Sequence, residues 1–329
     1  MRGGRGVGHC YCDAMLTVIG EALIDVVSRP GSSTARHPGG SPFNVAVGLA
    51  RLGHRVTFLG TWGDDDDGRL LAQSLEAEGI ELPLPPQREP TSVAEAVLGE
   101  DGSADYDFTL SWDPPLTGAD IERIAAASEV VHTGSIAAAL APGADTVLRL
   151  IEAADGRALI CLDPNCRPTI TGDVDEVRAR IEALVRHADL IKASEEDLLW
   201  LYPGSTLQET ARDWHRLGAA LVVVTRGALG PWAVNDATGP IGVEVPSTRA
   251  DVVDTVGAGD AFMAALISQA ADRGLTGPDA ARGLGALDEH EVGAVLARAA
   301  DAAAVAVSRS GADLPRRDEL DAMPGRQSR

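Results

Sequence analysis

A glycine-rich turn followed at once by an acidic residue gives residues 251–270 (DVVDTVGAGDAFMAALISQA) the composition of a site that handles phosphate. Gly257, Ala258 and Gly259 lie where an apolar approach ends and an unbroken helical pattern begins at Asp260. Free backbone N–H groups at a helix N-terminus bind anions, and glycine lets an anion come close to the backbone. Asp260 would repel a phosphate unless its task is to take a proton from a hydroxyl that attacks the phosphate. The alternative is an ordinary glycine turn with an acidic first helical turn.

The front of the chain offers groups suited to a ligand with several hydroxyls. Asp25 lies among apolar neighbours in a predicted strand, so its carboxylate must find hydrogen-bond donors there. Gly39 and Gly40 precede a predicted helix whose start is favoured by a capping serine and a proline, and Asn44 lies in its first turn. A salt-bridged aspartate and glycines that serve packing alone are the alternative interpretations.

Strands and helices alternate along most of the chain, which predicts an α/β fold with an open, mostly parallel sheet flanked by helices. Strands are expected at 16–19, 22–27, 56–59, 129–133, 158–162, 190–193 and 221–225, and helices at about 42–53, 63–79, 142–154, 174–188 and 291–307. Polar residues follow several of these strands, at 163–167, 194–197 and 225–230. Ligands bind at this edge of a parallel sheet.

Residues 91–98 and 104–112 read as a hairpin around a turn at 100–102. A hairpin cannot easily join a parallel sheet, so we expect it to project as a small β lid, formed from about 24–38 and 89–113. Its aromatic candidates are Tyr106, Phe108 and Trp112. A lid that closes over a site excludes water.

Composition limits the classes of partner. The 329 residues include 28 Lys+Arg and 49 Asp+Glu, and the resulting net charge of −21 disfavours nucleic acids and anionic membranes. No apolar run approaches the length of a membrane span, and the four cysteines (Cys10, Cys12, Cys161 and Cys166) suggest free thiols in a reducing cytoplasm. We expect a disordered or mis-started leader at 1–14, one domain at 15–320 and a flexible tail at 321–329. Neither GxxxxGK[ST] nor GxGxxG occurs.

Two stretches, GGSPFNVAVGLARLG at 39–53 and DTVGAGDAF at 254–262, resemble the paired signatures of the ribokinase-like (PfkB) family of sugar and nucleoside kinases. The resemblance runs from Leu16 to about Leu314 and implies a three-layer ribokinase-like fold with a β lid. It implies ATP and Mg²⁺ as cofactors and leaves K⁺ and a homodimer open. It also implies that Asp260 is the base and that Gly257, Ala258 and Gly259 form the anion hole for the γ-phosphate. The positions that match those holding the sugar are Asp25, Gly39, Gly40 and Asn44.

For the nucleotide, the resemblance implies binding by Ser194, Thr225, Arg226, Gly227 and Gly230. The family commonly has Asn-x-x-Glu before the nucleotide strand, where this chain has Ser194-Glu195-Glu196-Asp197. Asp197 and Glu196 are therefore candidates for Mg²⁺ binding through water, with altered geometry. Asp254 matches a position linked to a monovalent cation in some members, although a helix-entry aspartate explains it equally well.

The runs GEALIDVV, HTGS and DPNCR look more like bacterial fructokinases than ribokinases or adenosine kinases. Arg167 would reach a sugar oxygen or the carboxylate of a sugar acid, unless it only bonds strand-end carbonyls. The prediction is ATP-dependent phosphorylation of a primary hydroxyl on a small keto-sugar, D-fructose giving fructose 6-phosphate. A 2-keto-3-deoxygluconate kinase and a non-catalytic sugar-binding regulatory protein are the alternatives.

Overall fold

The computed structural model describes residues 14–28, 35–98 and 104–323. The predicted leader, apart from Ala14, lies outside these residues, as do the turn at 100–102 and residues 324–329 of the predicted tail. None of the helices within the described ranges is both long enough and apolar enough to cross a membrane.

The strands, in chain order, are β1 (Met15–Ile19), β2 (Leu23–Ser28), β3 (Ala35–Gly39), β4 (Arg55–Leu59), β5 (Val93–Leu98), β6 (Ala104–Thr109), β7 (Val130–Gly134), β8 (Leu159–Asp163), β9 (Leu190–Ser194), β10 (Leu221–Thr225), β11 (Trp232–Asn235) and β12 (Val243–Glu244). The helices are α1 (Ser41–Arg51), α2 (Asp66–Ala77), α3 (Gly118–Ala127), α4 (Ser135–Ala139), α5 (Gly143–Ala154), α6 (Pro168–Thr171), α7 (Val174–Val185), α8 (Glu195–Leu201), α9 (Leu207–Leu217), α10 (Ala258–Asp272), α11 (Ala280–Gly285), α12 (Glu289–Val307) and α13 (Arg317–Asp321).

The larger sheet has eight strands in the order β12-β11-β10-β9-β8-β7-β1-β4. It is parallel from β4 to β10, and β11 and β12 extend it antiparallel. Alternate residues of β10 enter opposite layers: Leu221 and Val223 pack with α1, α10 and α12, whereas Val222 and Val224 pack on the side of α5, α7 and α9. Burial on both faces explains the continuous apolar strands. The predicted three-layer α/β fold with a mostly parallel sheet is confirmed.

The smaller sheet has four strands in the order β3-β2-β5-β6, so the hairpin joins β2, the strand that contains Asp25, in a second sheet, as predicted. β5 pairs antiparallel with β6 and parallel with β2. The second strand of the hairpin, β6, ends at Thr109 and not at residue 112 as expected. Trp112 is buried in the core of the main body, where its indole N–H donates to the Ala137 carbonyl over 3.3 Å. The Tyr106 side chain lies outside the described part of the structure, and that this sheet closes as a lid stays a prediction.

Helices α3, α8 and α9 were not predicted, although each begins with a capping box in which a serine or threonine bonds the third helical residue. That signal is local and was present in the sequence. The helix expected at about 63–79 is α2, and Asp65 caps it by accepting from the Gly68 N–H.

Candidate active site

The glycine turn leads into the N-terminus of α10 as predicted, although the helix begins two residues before the expected start at Asp260. Gly257 precedes the helix with a φ of 77°, a left-handed conformation that favours glycine, and a Cβ at this position would lie 2.8 Å from the Cβ of Ala312. The helix begins at Ala258, and the N–H groups of Gly259 and Asp260 have no hydrogen-bond acceptor among the described residues. Two backbone donors are therefore available for an anion at this turn.

Asp260 is buried, and side chains of α1 determine the direction of its carboxylate. The Ser41 hydroxyl donates to Oδ1 over 2.7 Å, and the Asn44 amide donates to Oδ2 over 2.7 Å. Helices α1 and α10 come close together because Gly48 has no side chain: a Cβ there would lie 2.8 Å from the Cβ of Ala264. The structure thus brings the front and back glycine motifs into one site.

Of the predicted sugar-binding residues, Asn44 bonds Asp260, and the other three lie close to one another at the start of α1. A Cβ on Gly39 would lie 2.2 Å from Oδ2 of Asp25, and one on Gly40 would lie 2.7 Å from the Glu21 carbonyl oxygen. Burial raises the pKa of Asp25, and the charges of His37 and Arg167 oppose this rise. Asp25, Gly39 and Gly40 therefore lie together at the start of α1, one turn before Asn44.

The Arg167 guanidinium bonds to its own loop. Its Nη1 donates to the Asn165 carbonyl over 2.9 Å, to Oδ1 of Asn165 over 2.6 Å and to the Cys166 carbonyl over 3.1 Å. These hydrogen bonds agree with the alternative interpretation, in which Arg167 bonds carbonyls at the strand end. A contact between Arg167 and the sugar stays a prediction. The guanidinium has further nitrogens, and it lies near enough to Asp25 for its charge to oppose the rise in the pKa of that carboxyl.

The predicted nucleotide segment lies further along the same sheet edge, where Thr225 pairs with Ser194 across β10 and β9. Arg226 donates from Nε to the Gly230 carbonyl over 3.0 Å and forms an ion pair with Glu244 over 2.9 Å. Its guanidinium therefore holds the segment against β12. Gly227 begins a short 3-10 turn, and Gly230 has a φ of 84° with no room for a Cβ, which would lie 2.2 Å from the Val245 carbonyl oxygen.

Ser194 and Asp197 form a capping box at the start of α8. Oδ2 of Asp197 accepts from the Ser194 N–H and hydroxyl over 2.8 and 2.7 Å, and Oδ1 accepts from the Cys166 N–H over 2.7 Å. Its carboxylate thus ties the β9 end to the β8 end. Glu196 is exposed and Glu195 half-buried. The described residues contain no group of three or more His, Cys, Asp or Glu side chains that could hold a metal.

Asp254 connects two loops. Its Oδ1 accepts from the Val256 N–H over 3.1 Å, and its Oδ2 accepts from the Gly311 N–H over 2.9 Å. These backbone hydrogen bonds lower its pKa. A monovalent cation at this carboxylate stays a prediction.

Two buried charged features were not assigned a role from the sequence. The Glu21 carboxylate accepts from the Ala137 N–H over 3.0 Å, and burial raises its pKa to about 7. Lys192, inside β9, donates from Nζ to Oδ2 of Asp163 over 2.7 Å, with both side chains almost fully buried. The sequence signal for Lys192 is a charged residue inside an apolar strand, and for Glu21 it is an acidic residue between two apolar strands.

Comparison with known proteins agrees with this geometry. A model of the family described as pfkB family carbohydrate kinase matches residues 13–319. A fructokinase from Rhizobium leguminosarum bv. trifolii is 34% identical over 261 residues, which cover 77% of this chain and 79% of the relative. A fructokinase from Vibrio alginolyticus is 31% identical over 256 residues, covering 76% and 82%.

Among solved structures, fructokinase with bound ATP from Xylella fastidiosa superposes with a TM-score of 0.81 at 26% identity, covering 93% of this chain and 96% of that one. The similarity therefore extends over both sheets and is not confined to the glycine motifs.

Proposed function

The chain belongs to the pfkB family of carbohydrate kinases, and we propose that within this family it is a fructokinase, which transfers the γ-phosphate of ATP to the primary 6-hydroxyl of D-fructose. It is an enzyme that phosphorylates a sugar hydroxyl, with ATP as the donor. The observation that carries the proposal is the Asp260 carboxylate, fixed by Ser41 and Asn44 beside the free N–H groups of the α10 turn. The names of the relatives support fructose as the sugar.

In the proposed reaction, the sugar hydroxyl lies between Asp260 and the turn formed by Gly257 and Gly259. Asp260 accepts the hydroxyl proton while the oxygen forms its bond to the γ-phosphorus, and the bond from that phosphorus to the β,γ-bridging oxygen breaks to release ADP. Each Asp260 oxygen accepts one hydrogen bond from α1 and keeps a further lone pair for the substrate. The backbone N–H groups stabilise the charge on the transferring phosphoryl group.

Asp25, Gly39, Gly40 and Asn44 are proposed to hold the sugar. Asp25 offers a carboxylate to sugar hydroxyls, and the two glycines let the sugar approach the backbone at the α1 start. Asn44 already gives one N–H to Asp260, so its second amide hydrogen and its carbonyl oxygen are available to the sugar. Arg167 is proposed to contribute through the nitrogens that its own loop does not use.

Ser194, Thr225, Arg226, Gly227 and Gly230 are proposed to hold the nucleotide. Mg²⁺ is proposed to arrive with ATP and to be held mainly by phosphate oxygens, since this ion commonly takes one or two carboxylates plus substrate phosphates. It would offset the negative charge of the donor. Asp197 already accepts three hydrogen bonds, so the carboxylates of Glu195 and Glu196 are better able to hold water bound to the ion. The free thiols of Cys161 and Cys166 support a cytoplasmic location.

The test is ATP turnover by the purified protein against fructose, ribose, tagatose, 2-keto-3-deoxygluconate and adenosine, each in K⁺ and in Na⁺ buffer. We expect the highest kcat/KM with fructose. A preference for 2-keto-3-deoxygluconate would contradict the assignment of the sugar, and absence of turnover with the whole panel would favour a non-catalytic binding protein.

The assignment of the base is tested by Asp260→Asn. Asparagine keeps the shape of the side chain but cannot take up the hydroxyl proton, so we expect kcat to fall by about 10² to 10⁴-fold, or about 3 to 5 kcal/mol. Circular dichroism and the unfolding midpoint serve as controls for the fold. Turnover close to that of the wild type would remove Asp260 from this role.

A further inference from the structure

Lys192 is the only lysine in a chain with 28 Lys+Arg residues, so every other basic side chain apart from histidine is an arginine. It lies inside β9, where its side chain is 3% exposed, and its partner Asp163 at the end of β8 is 1% exposed. A fully buried ion pair contributes little net stability, because removing two charges from water offsets their attraction. Stability alone therefore does not account for this pair.

The Lys192 ammonium lies directly behind the glycine turn of α10. A Cβ built on Gly259 would lie 3.1 Å from Nζ of Lys192, closer than most real contacts of a Cβ. Burial by itself would lower the pKa of Lys192, but the negative charges of Asp163, Asp197 and Asp260 outweigh it and raise this pKa, which favours the charged ammonium. A buried positive charge thus lies next to the two N–H groups that the α10 turn leaves free.

The pair is incompletely hydrogen-bonded. An ammonium has three N–H donors, and among the described residues Lys192 bonds only Asp163. The second oxygen of that carboxylate, Oδ1 of Asp163, is buried with no hydrogen-bond partner in the same part of the chain. Unused donors on a buried cation are unfavourable unless a ligand completes them. An anionic oxygen at the glycine turn would satisfy them.

We propose that Lys192 binds the γ-phosphoryl group of ATP from behind the Gly259 turn, and that Asp163 is a positioning residue that directs the ammonium toward it. This inference rests on the proposed function for the identity of the anion. Lys192 supplies the charge that backbone N–H groups lack, and Asp163 prevents the flexible side chain from turning away.

The same geometry explains why this position is lysine while the rest of the chain uses arginine. A guanidinium is larger and planar, with five donors in a fixed fork, whereas an ammonium is a compact point charge. With a Gly259 Cβ position only 3.1 Å from Nζ, the added nitrogens of an arginine would meet the turn itself. Glycine at 259 and lysine at 192 therefore depend on each other.

The first experiment compares kcat in four proteins: wild type, Lys192→Met, Asp163→Asn and the double variant. We expect Lys192→Met to lower kcat by about 10² to 10³-fold, as loss of one preorganised donor does, with the KM for fructose changed less than about threefold. Because Asp163 acts only through Lys192, Asp163→Asn should lower kcat by only about tenfold.

The double variant separates catalysis from folding. Lys192→Met alone leaves Asp163 buried without its partner, whereas the double variant removes both charges, so its unfolding midpoint should return toward that of the wild type. Its kcat should stay at the level of Lys192→Met. Recovery of kcat together with stability would show that the pair is structural only and would overturn the proposal.

A second measurement does not depend on which sugar is phosphorylated. Calorimetric titration with MgATP and with MgADP should show that Lys192→Met weakens ATP binding by about 10- to 100-fold, as expected for one hydrogen bond between charged groups, and ADP binding less than about threefold. An equal effect on both nucleotides, or none, would overturn the proposal. If the wild type phosphorylates no sugar in the panel, the proposed function fails while this comparison still decides the role of Lys192.

Discussion

The Asp260 carboxylate is held by a neighbouring helix instead of capping its own. As the third residue of α10, Asp260 stands where an acidic side chain commonly reaches back to the N-cap backbone. Here the N-cap is Gly257, which has no side chain to bond in return, and Ser41 and Asn44 of α1 take both oxygens. The helix N-terminus is thereby left free for an anion while the base is fixed beside it.

Glu21 makes the stability of the protein depend on pH. Burial raises its pKa from an ordinary value of 4.5 to about 7, so between these values the folded protein holds a proton that the unfolded chain releases. Stability therefore falls as pH rises from about 4.5 to about 7. Glu21→Gln lacks the ionisation but keeps an oxygen for the Ala137 N–H. We expect it to match the wild type near pH 4.5 and to exceed its free energy of unfolding by about 1 to 3 kcal/mol at pH 8.

Urea unfolding at both pH values measures this difference. The control is Glu76→Gln, which changes an exposed glutamate of α2 and should give the same small difference at each pH. A Glu21→Gln effect that does not vary between the two pH values would mean that Glu21 does not titrate in this range.

At the scale of elements, the contact between β2 and β3 determines the shape of the proposed sugar site. Gly39 ends β3 and leaves room for the Asp25 carboxylate on β2, because a Cβ at 39 would lie 2.2 Å from Oδ2 of Asp25. Arg36 of β3 also bonds Asp67 of α2, with one contact of 3.0 Å from Nε to Oδ1. The small sheet is thus attached to the main body close to these residues.

Gly39→Ala should displace Asp25 and weaken sugar binding. Loss of the hydrogen bonds from this carboxylate to the sugar would cost about 1.5 to 3 kcal/mol, so we expect the KM for the sugar to rise by about tenfold or more. The matched control is Gly118→Ala at the start of α3, where a Cβ meets no atom of the described residues within 4 Å. Kinetics for both variants test this, and a KM for Gly39→Ala equal to that of the control would show that Asp25 does not hold the sugar.

The capping box of α8 gives a prediction for another element. Asp197→Ala removes the acceptor for the Ser194 and Cys166 N–H groups, and we expect the free energy of unfolding to fall by about 1 to 3 kcal/mol. Glu196→Ala, at an exposed neighbouring position, should change it by less than about 0.5 kcal/mol. Denaturant unfolding measures both. Mg²⁺ titration of the activity of both variants then tests the predicted metal role. Only the loss of a residue that holds water on the ion should raise the Mg²⁺ concentration needed for activity.

At the scale of the whole molecule, the C-terminal helix packs back onto the first half of the chain. Leu320 of α13 is buried in the core layer shared with α1 and α10, and Arg317 pairs with Asp272 over 2.7 Å. Arg51, on α1, donates to the Leu314 carbonyl over 2.7 Å. Residues near the end of the domain thus stabilise the helix that orients Asp260.

Leu320→Ala should therefore destabilise the fold without changing the chemistry. We expect a loss of about 2 to 5 kcal/mol, typical for a large side chain removed from a core, with kcat of the folded protein unchanged at low temperature. Leu217→Ala, at a position that is 41% exposed, should cost less than about 0.5 kcal/mol. Thermal and denaturant unfolding compare the two, and equal stability would mean that α13 does not contribute to the core.

The sequence alone determined the alternation of strands and helices, the extra hairpin sheet and the two glycine motifs, because periodicity, turns and helix starts depend on residues close together in the chain. The sequence also contains capping boxes at the starts of α3, α8 and α9, from which these helices could have been predicted. The pairing of the two motifs across helices was predicted only through the family resemblance.

The directions of the site side chains were decided by tertiary packing. Asp260 turns toward Ser41, 219 residues away, because α1 and α10 pack at Gly48. Arg167 folds onto its own loop, and Arg226 pairs with Glu244 on another strand. Lys192 reaches the Gly259 turn because β9 and α10 belong to the same core layer. Side-chain direction depends on contacts between distant segments, and no local pattern contains that information.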